Sequence, residues 1–260
     1  MADIPVEIGD ALNRGRLETV TLVEWLAIDM VILLSNILPE VGLAEYTDRL
    51  VAQAHRVASC GVMCRLEKIG EVVYAVLKDH PHRTAIFESL ATHTSDMVRV
   101  FAAYCVTADE KLCLADRFEI VRRFAADSAM SVRECAWSSC RKYIIADLSG
   151  AIRLFHDWVV DADPNIRRYA IEATRPRGVW TKHIPALKKD PTQCFSLLEP
   201  VRSDSSDYVR RSVGNWLNDA GKTSPDQVKR ICKRWMAESS TQETSWIVKH
   251  ALRHLLVPGD

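Results

Sequence analysis

No stretch of the chain alternates apolar and polar residues as a half-buried strand does, and no Asn-Gly or Asp-Gly pair marks a tight hairpin. A sheet is therefore not expected. No glycine-rich phosphate loop is present. The eight cysteines lack regular spacing: Cys60 and Cys64 form one C-x3-C pair, and no second close pair completes a zinc site. They read as small buried thiols in a reducing compartment. The histidines nominate no metal site, no set of residues nominates a nucleophilic triad, and neither a metal nor an organic cofactor is expected. The start of the chain, Met1-Ala-Asp-Ile-Pro-Val-Glu, lacks the basic stretch and apolar run of a secretory signal. Leu22 to Leu38 is rich in aliphatic residues, but Glu24 and Asp29 interrupt it and Pro39 closes it, which predicts a buried helix and not a membrane span. What these absences leave is a soluble, cytoplasmic, all-α protein.

With 260 residues, 48% of them hydrophobic, the chain can bury one large domain or one repeat array. Its formal net charge of zero hides a gradient. Residues 1–130 hold 13 Lys and Arg against 19 Asp and Glu, whereas residues 131–260 hold 21 against 15. The halves are thus −6 and +6, an asymmetry that points to a polyanionic partner for the second half. Uneven surface charge with no binding role is the plainer explanation.

A repeat runs through the chain. A polar turn precedes an aliphatic residue, then a basic one, then a small or apolar one three positions on. Ser95-Asp-Met-Val-Arg-Val-Phe-Ala102, Ala129-Met-Ser-Val-Arg-Glu-Cys-Ala136, Asp163-Pro-Asn-Ile-Arg-Arg-Tyr-Ala170, Ser206-Asp-Tyr-Val-Arg-Arg-Ser-Val213 and Ser245-Trp-Ile-Val-Lys-His-Ala-Leu252 fit it. The basic residues Arg99, Arg133, Arg167, Arg210 and Lys249 lie 34, 34, 43 and 39 residues apart, within the range of helical-pair repeats. The aliphatic residue and the one four positions on share a helix face, so helices are predicted to start near Met97, Ser131, Asn165, Tyr208 and Trp246. The last four are preceded by the partner helices Asp116–Ala126, Ala151–Val160, Cys194–Val201 and Asp226–Ala237. Earlier helical pieces are Ile8–Gly15, Thr21–Leu38, Leu43–Ala58, Arg65–Leu77 and Ala85–Ala91. The expected architecture is one HEAT-like helical-repeat solenoid of stacked antiparallel helix pairs over 1–260. Residues 1–90 would form capping helices and 91–256 the repeats.

Two columns follow from the register. The first, Arg99 to Lys249, suits a structural ladder in which guanidinium groups bond carbonyl or acidic groups of an adjacent repeat. The second, Val100, Glu134, Arg168, Arg211 and His250, changes sign, and its basic members would form a stripe on a concave face where solenoids bind partners. Trp137, Trp158, Trp216, Trp235 and Trp246 read as packing residues.

The segment Glu172-Ala-Thr-Arg-Pro-Arg-Gly-Val-Trp180 occurs only once. With Ile166-Arg-Arg168 before it, it resembles the signature of the AlkC-type DNA alkylation repair glycosylases. Tyr208-Val-Arg-Arg-Ser-Val-Gly-Asn-Trp-Leu-Asn-Asp219 and Trp246-Ile-Val-Lys-His-Ala-Leu-Arg253 are similar to later repeats of the same family. The likeness covers residues 128–256, and the related AlkD type shares the helical-repeat architecture. The AlkD-type pairing of a Trp and an Asp on one helix is not visible here. The resemblance implies hydrolysis of the N-glycosidic bond of N3- or N7-alkylated purines in double-stranded DNA, by a monomer with no cofactor and no membrane role. It also implies the chemistry of particular residues. Glu172 and Trp180 match the family's acidic and aromatic positions. Glu134 matches a second carboxylate, although a gap placed elsewhere would set Trp137 there. Arg168, Arg175, Arg177, Arg211 and His250 are the implied DNA contacts. Each has a plainer reading: Glu172 as an ion-pair partner of Arg168 and Arg175 on a helix surface, Trp180 as a plug after the helix ended by Pro176. A non-enzymatic DNA-binding scaffold and a protein-binding repeat are the alternative functions.

Overall fold

The structure, a computed structural model, describes residues 4–239 and 241–255. Residue 256, the far limit assigned to the repeats, and the first three residues fall outside that range. All regular structure among the described residues is helical, and none of the helices is long and apolar enough to cross a membrane. In chain order the α-helices are α1 (Val6–Asn13), α2 (Leu22–Ala27), α3 (Met30–Glu40), α4 (Thr47–Arg56), α5 (Val62–Leu77), α6 (Arg83–Ala91), α7 (Asp96–Ala108) and α8 (Leu114–Ala125). They continue as α9 (Met130–Ala146), α10 (Leu148–Trp158), α11 (Pro164–Ala173), α12 (Pro185–Lys189), α13 (Phe195–Leu198), α14 (Asp207–Gly221), α15 (Pro225–Glu238) and α16 (Gln242–Leu252). Two compact units, Met1–Ser139 and Cys140–Asp260, divide the chain within α9.

Four of the five motif helices begin one residue before the expected position, and α16 begins four before it. The segment Thr21–Leu38 is not one helix. The Asp29 carboxylate accepts from the backbone N–H groups of Val31 and Ile32, at 2.8 and 3.2 Å, and caps a new helix there. Nor is that segment wholly buried, since Leu22, Val23, Leu26 and Ile32 are exposed. Prolines at 191 and 200 break Cys194–Val201 into short turns around the single turn of α13. Cys105, Cys135, Cys140, Cys194 and Cys232 are buried thiols as expected, whereas Cys64 and Cys113 are exposed and Cys60 is half-buried.

In the first unit α5 packs on α7, and Gly70 permits the approach: a Cβ there would stand 2.4 Å from Tyr104 Cβ. In the second unit α11, α14 and α16 pack on one another in chain order, with α15 against α14 and α16. Gly214 plays the matching part, since its Cβ would lie 2.7 Å from His250 Cδ2 on α16.

The first basic column is structural. Arg99 Nη1 donates to the carbonyls of His93 and Thr94, Arg133 Nη1 to Asp127 and Ser128, Arg167 Nη1 to Asp161 and Ala162, and Arg210 Nη1 to Asp204 and Ser205. Each arginine thus gathers the turn that leads into its own helix, six and five residues back. The first residue of each turn caps it. Asp127, Asp161 and Asp204 accept from the N–H two residues on, at 2.8 Å in each case, and His93 does the same through Nδ1 at 3.0 Å. Arg99 and Arg167 also reach the following turn. Arg99 makes a two-pronged bond to Asp127 at 2.8 and 2.9 Å, and Arg167 makes one to Asp204 at 2.7 and 2.8 Å.

Asp204 therefore serves its own turn and the preceding repeat together. Its replacement by Ala leaves the half-buried Arg167 guanidinium without its bonded counter-ion, which costs roughly 2 kcal/mol, between the exposed and the fully buried cases. Urea unfolding of Asp204→Ala should show that loss as a lowered midpoint. A change under about 1 kcal/mol, the level of an exposed ion pair, would mean that the ladder does not carry the packing.

Candidate functional site

The unique segment begins on α11. Asp163 caps this helix by accepting from Asn165 N–H at 2.8 Å, and Pro164 sits in its first turn. The helix ends at Ala173, because Pro176 can neither donate nor follow a helical neighbour. Thr174 closes the end: its hydroxyl donates to Ala170 O, and its carbonyl accepts from Trp216 Nε1 at 3.0 Å. The chain then turns through residues 175–184 and is tied by Ile184 N–H to Pro176 O at 3.1 Å.

Glu172, in the last turn of α11, is only 4% exposed and lies inside a polar cluster. Ser212 on α14 donates to Oε1 at 2.7 Å, and Arg175 Nη1 donates to Oε2 at 3.1 Å. Arg168 Nη2 stands 3.7 Å from Oε1, while its guanidinium lies over the Tyr208 ring at 4.1 Å. Arg175 turns its remaining donors to Asp219: Nε and Nη2 both reach Oδ2, at 3.0 and 2.7 Å. Burial works against the Arg175 charge, but Glu172 and Asp219 outweigh it and its pKa stands above the ordinary guanidinium value. Lys222 reaches the other oxygen of Asp219 at 3.1 Å.

The remaining candidates are spread around this cluster. Arg177 is half-buried, and its Nε is enclosed with no hydrogen-bond partner among the described residues. Trp180 is 56% exposed, so it plugs nothing. Arg211 is exposed and pairs with the exposed Asp207, at 2.6 Å, one turn earlier on α14. His250 on α16 stacks on Trp246, with ring centroids 4.8 Å apart and planes 12° from parallel, and pairs through Nε2 with Asn215 Oδ1 at 3.0 Å. Trp246 is accordingly an exposed partner and not a core residue, whereas Trp137, Trp158, Trp216 and Trp235 are buried. Glu134 belongs to the first unit. It is half-buried on α9 and accepts from Trp137 Nε1 at 3.0 Å.

Positive charge leaves its mark on the second unit's histidines. Desolvation and the nearby Lys188, Arg177 and Arg141 lower the pKa of His183. Desolvation, Arg253 and Arg211 lower that of His250. His250 and His254 stand four apart, the spacing of two ligands on one helix face, which the expectation of no metal overlooked. His254 pairs with Asn218 instead, and no group of three or more His, Cys, Asp or Glu among the described residues is placed to hold an ion. Ser212, Asp219 and Arg141 are not among the site residues expected from the sequence, and Tyr208 is expected there only as a helix start. Asp219 comes 44 residues after Arg175 and shares no period with it, so only the packing of α11 on α14 brings them together.

Residues 64–255 match the family model for the DNA alkylation repair enzyme. The uncharacterized protein YhaZ of Bacillus subtilis (strain 168) is 32% identical over 197 residues, which cover 75% of this chain and 53% of YhaZ. The alkylpurine DNA glycosylase AlkC of Pseudomonas fluorescens, solved bound to DNA containing an abasic site analog, superposes with a TM-score of 0.71 at 26% identity. That match covers 87% of this chain and 62% of AlkC. AlkD2 from Streptococcus mutans superposes with a TM-score of 0.60 at 21% identity over 78% of this chain and 98% of its own, a likeness of fold. The chain thus spans about half to three-fifths of the length of YhaZ and AlkC.

The lowered pKa of His250 has a consequence for stability. The folded state resists its protonation, so the neutral ring contributes stability above the unfolded pKa near 6.5, and that contribution is lost as pH falls through the lower folded value. Urea midpoints should therefore fall more between pH 7.5 and 5 for the wild type than for His250→Gln. An NMR titration of the ring should show a midpoint below 6.5. A midpoint above 6.5, or equal pH sensitivity of the two proteins, would contradict this.

Proposed function

The chain belongs to the DNA alkylation repair enzyme family, and from that premise we propose that it hydrolyses the N-glycosidic bond of N3- or N7-alkylated purines in duplex DNA. The observation that supports this best is Glu172. It is a carboxylate held among arginines and a serine in the last turn before the loop that presents Trp180 to solvent. An alkylated purine already carries positive charge. As its bond to C1′ breaks, the bonding electrons stay with the base, which leaves neutral, and the positive charge passes to the sugar. Water then adds to C1′, and its proton is released to solvent. A carboxylate fixed near that sugar stabilises charge that is greater in the transition state than in bound DNA.

In this proposal Glu172 is that carboxylate, and Glu134 is a separate candidate for a second. Trp180 offers an aromatic face to a cationic base. Arg168, Arg177, Arg211 and His250 contact the DNA. Arg175, whose Nε and both terminal nitrogens already donate to carboxylates, acts by holding Glu172 in place. The burial of Glu172 favours one alternative, a DNA-binding scaffold in which this carboxylate only supports packing.

The discriminating experiment is release of free 3-methyladenine or 7-methylguanine from methylated DNA by the purified chain. Glu172→Gln keeps the size and loses the charge. It should slow single-turnover excision more than it weakens DNA binding, by a factor on the order of 100 at most, since the leaving group is already activated. Wild-type excision rates for both Glu134→Gln and Glu172→Gln would exclude both carboxylates from catalysis. No base release by the wild type would leave the scaffold.

Phosphate contacts are tested separately. Ala at Arg168, Arg177 or Arg211 should weaken binding to methylated and unmethylated duplexes alike, and each should reduce the salt slope by about one unit. A triple variant with wild-type affinity and slope would place the DNA on another face.

A further inference from the structure

Arg141, on the second-unit end of α9, is only 2% exposed. Its Nη1 donates to Ala173 O at 2.6 Å, its Nε to Lys182 O at 3.0 Å, and its Nη2 to Arg175 O. The acceptors are all main-chain carbonyls, and no carboxylate among the described residues forms an ion pair with it. Glu172 and Asp219 favour its charge only from a distance, and a buried cation with no directly bonded counter-ion is costly enough that an apolar side chain of the same length would fill the space at lower cost. Burial and the neighbouring Arg175 draw its pKa down to about 10, so the charge persists at neutral pH.

What the guanidinium holds accounts for its presence. Ala173 is the end of α11, Arg175 opens the loop, and Lys182 closes it. Between the last two anchor points lie Arg177 and Trp180. Gly178 fits the same loop tightly: a Cβ there would stand 2.2 Å from Thr181 Oγ1 and 3.5 Å from Arg141 Nη2. We propose that Arg141 is a positioning residue for base excision, which fixes Arg177 and Trp180 relative to Glu172 by pinning both ends of their loop. This rests on the glycosylase reading above. A lysine keeps the charge but cannot span the three carbonyls, because it lacks the planar fork.

The test is a double-mutant cycle between Arg141→Lys and Trp180→Phe, read as single-turnover excision of 3-methyladenine at saturating protein, with Kd for the same duplex measured alongside. Arg141→Lys should slow excision by about tenfold to a hundredfold, as expected of a displaced reacting geometry, and leave Kd within about threefold. In the Trp180→Phe background the same substitution should cost clearly less than in the wild type, because the part of its effect that passes through Trp180 is gone and only the Arg177 part remains. An equal loss in both backgrounds overturns the proposal and makes Arg141 a general support of the fold.

A second measurement does not need activity. The emission of Trp180, taken as the difference between each protein and its Trp180→Phe counterpart, should shift and become more open to acrylamide in Arg141→Lys. An unchanged difference spectrum also overturns the proposal. Gly178→Ala keeps Arg141 in place but crowds Thr181 in the same loop and should reproduce both effects, which keeps the test decisive if Arg141 variants fold poorly. A wild type that releases no base refutes the glycosylase reading, and the emission measurement still decides whether Arg141 sets Trp180.

Discussion

The fold depends on one recurring interaction: a guanidinium that gathers the turn before its own helix and, at Arg99 and Arg167, bonds the aspartate of the next turn as well. Arg99 and Arg167 do both, and Arg133 and Arg210 gather their own turns in the same way. Carbonyls at a turn have lone pairs left over when the helix begins, and a planar fork with five donors satisfies several of them together. Small apolar stripes alone would let stacked helices slide. A two-pronged bond to a buried aspartate fixes one register, which is the best-attested service of a buried ion pair. The spacing shows how firmly it does so. Arg99 and Asp127 are 28 residues apart, whereas Arg167 and Asp204 are 37 apart, yet the bonds match within about 0.1 Å. The nine additional residues fall between α11 and α14, where the Arg177 and Trp180 loop is found. The ladder thus closes over an insertion, and the insertion is free to carry a site.

Much of this was legible in the sequence because it repeats. A basic residue at the same place in each motif, with an apolar residue before it and a small one after, fixes where four helices begin to within one residue. Features that occur once were harder to read. The break between α2 and α3 turns on Asp29 acting as a cap and not as a charge on a helix, and the two uses look alike in an aliphatic run. The piece Cys194–Val201 has helical spacing, but its prolines permit only short turns.

The second column shows why register alone does not settle function. Its members share a helical position, yet Val100 is fully buried, Arg168 lies on Tyr208, Arg211 is solvated beside Asp207, and His250 stacks on Trp246. What differs is the neighbour each meets, and neighbours come from other helices. Periodicity within one helix carries no record of them. The same holds for Asp219, Ser212 and Arg141, which enter the cluster only through the packing of α14 and α9 residues around the end of α11.

That cluster has an internal logic of charge. Two carboxylates, Glu172 and Asp219, are surrounded by Arg168, Arg175, Lys222 and, one step further out, Arg141. Positive charge is in excess, which would suit the phosphate binding proposed above. It does not suit the approach of a positively charged base or sugar, unless a carboxylate is placed to meet it first. Glu172 is restrained from two sides, by Ser212 on α14 and by Arg175 just beyond its own helix, so its oxygens cannot swing away when positive charge develops nearby. A fixed charge of this kind needs no reorganisation at the moment of reaction, and in a site with little water each fixed dipole counts for more than it would in solution. The arrangement therefore favours electrostatic stabilisation by Glu172 over a mobile carboxylate that collects a proton. In the proposed reaction the arginines would contribute to binding and to chemistry together, since Arg175 keeps Glu172 rigid while the surrounding positive charge favours a polyanion.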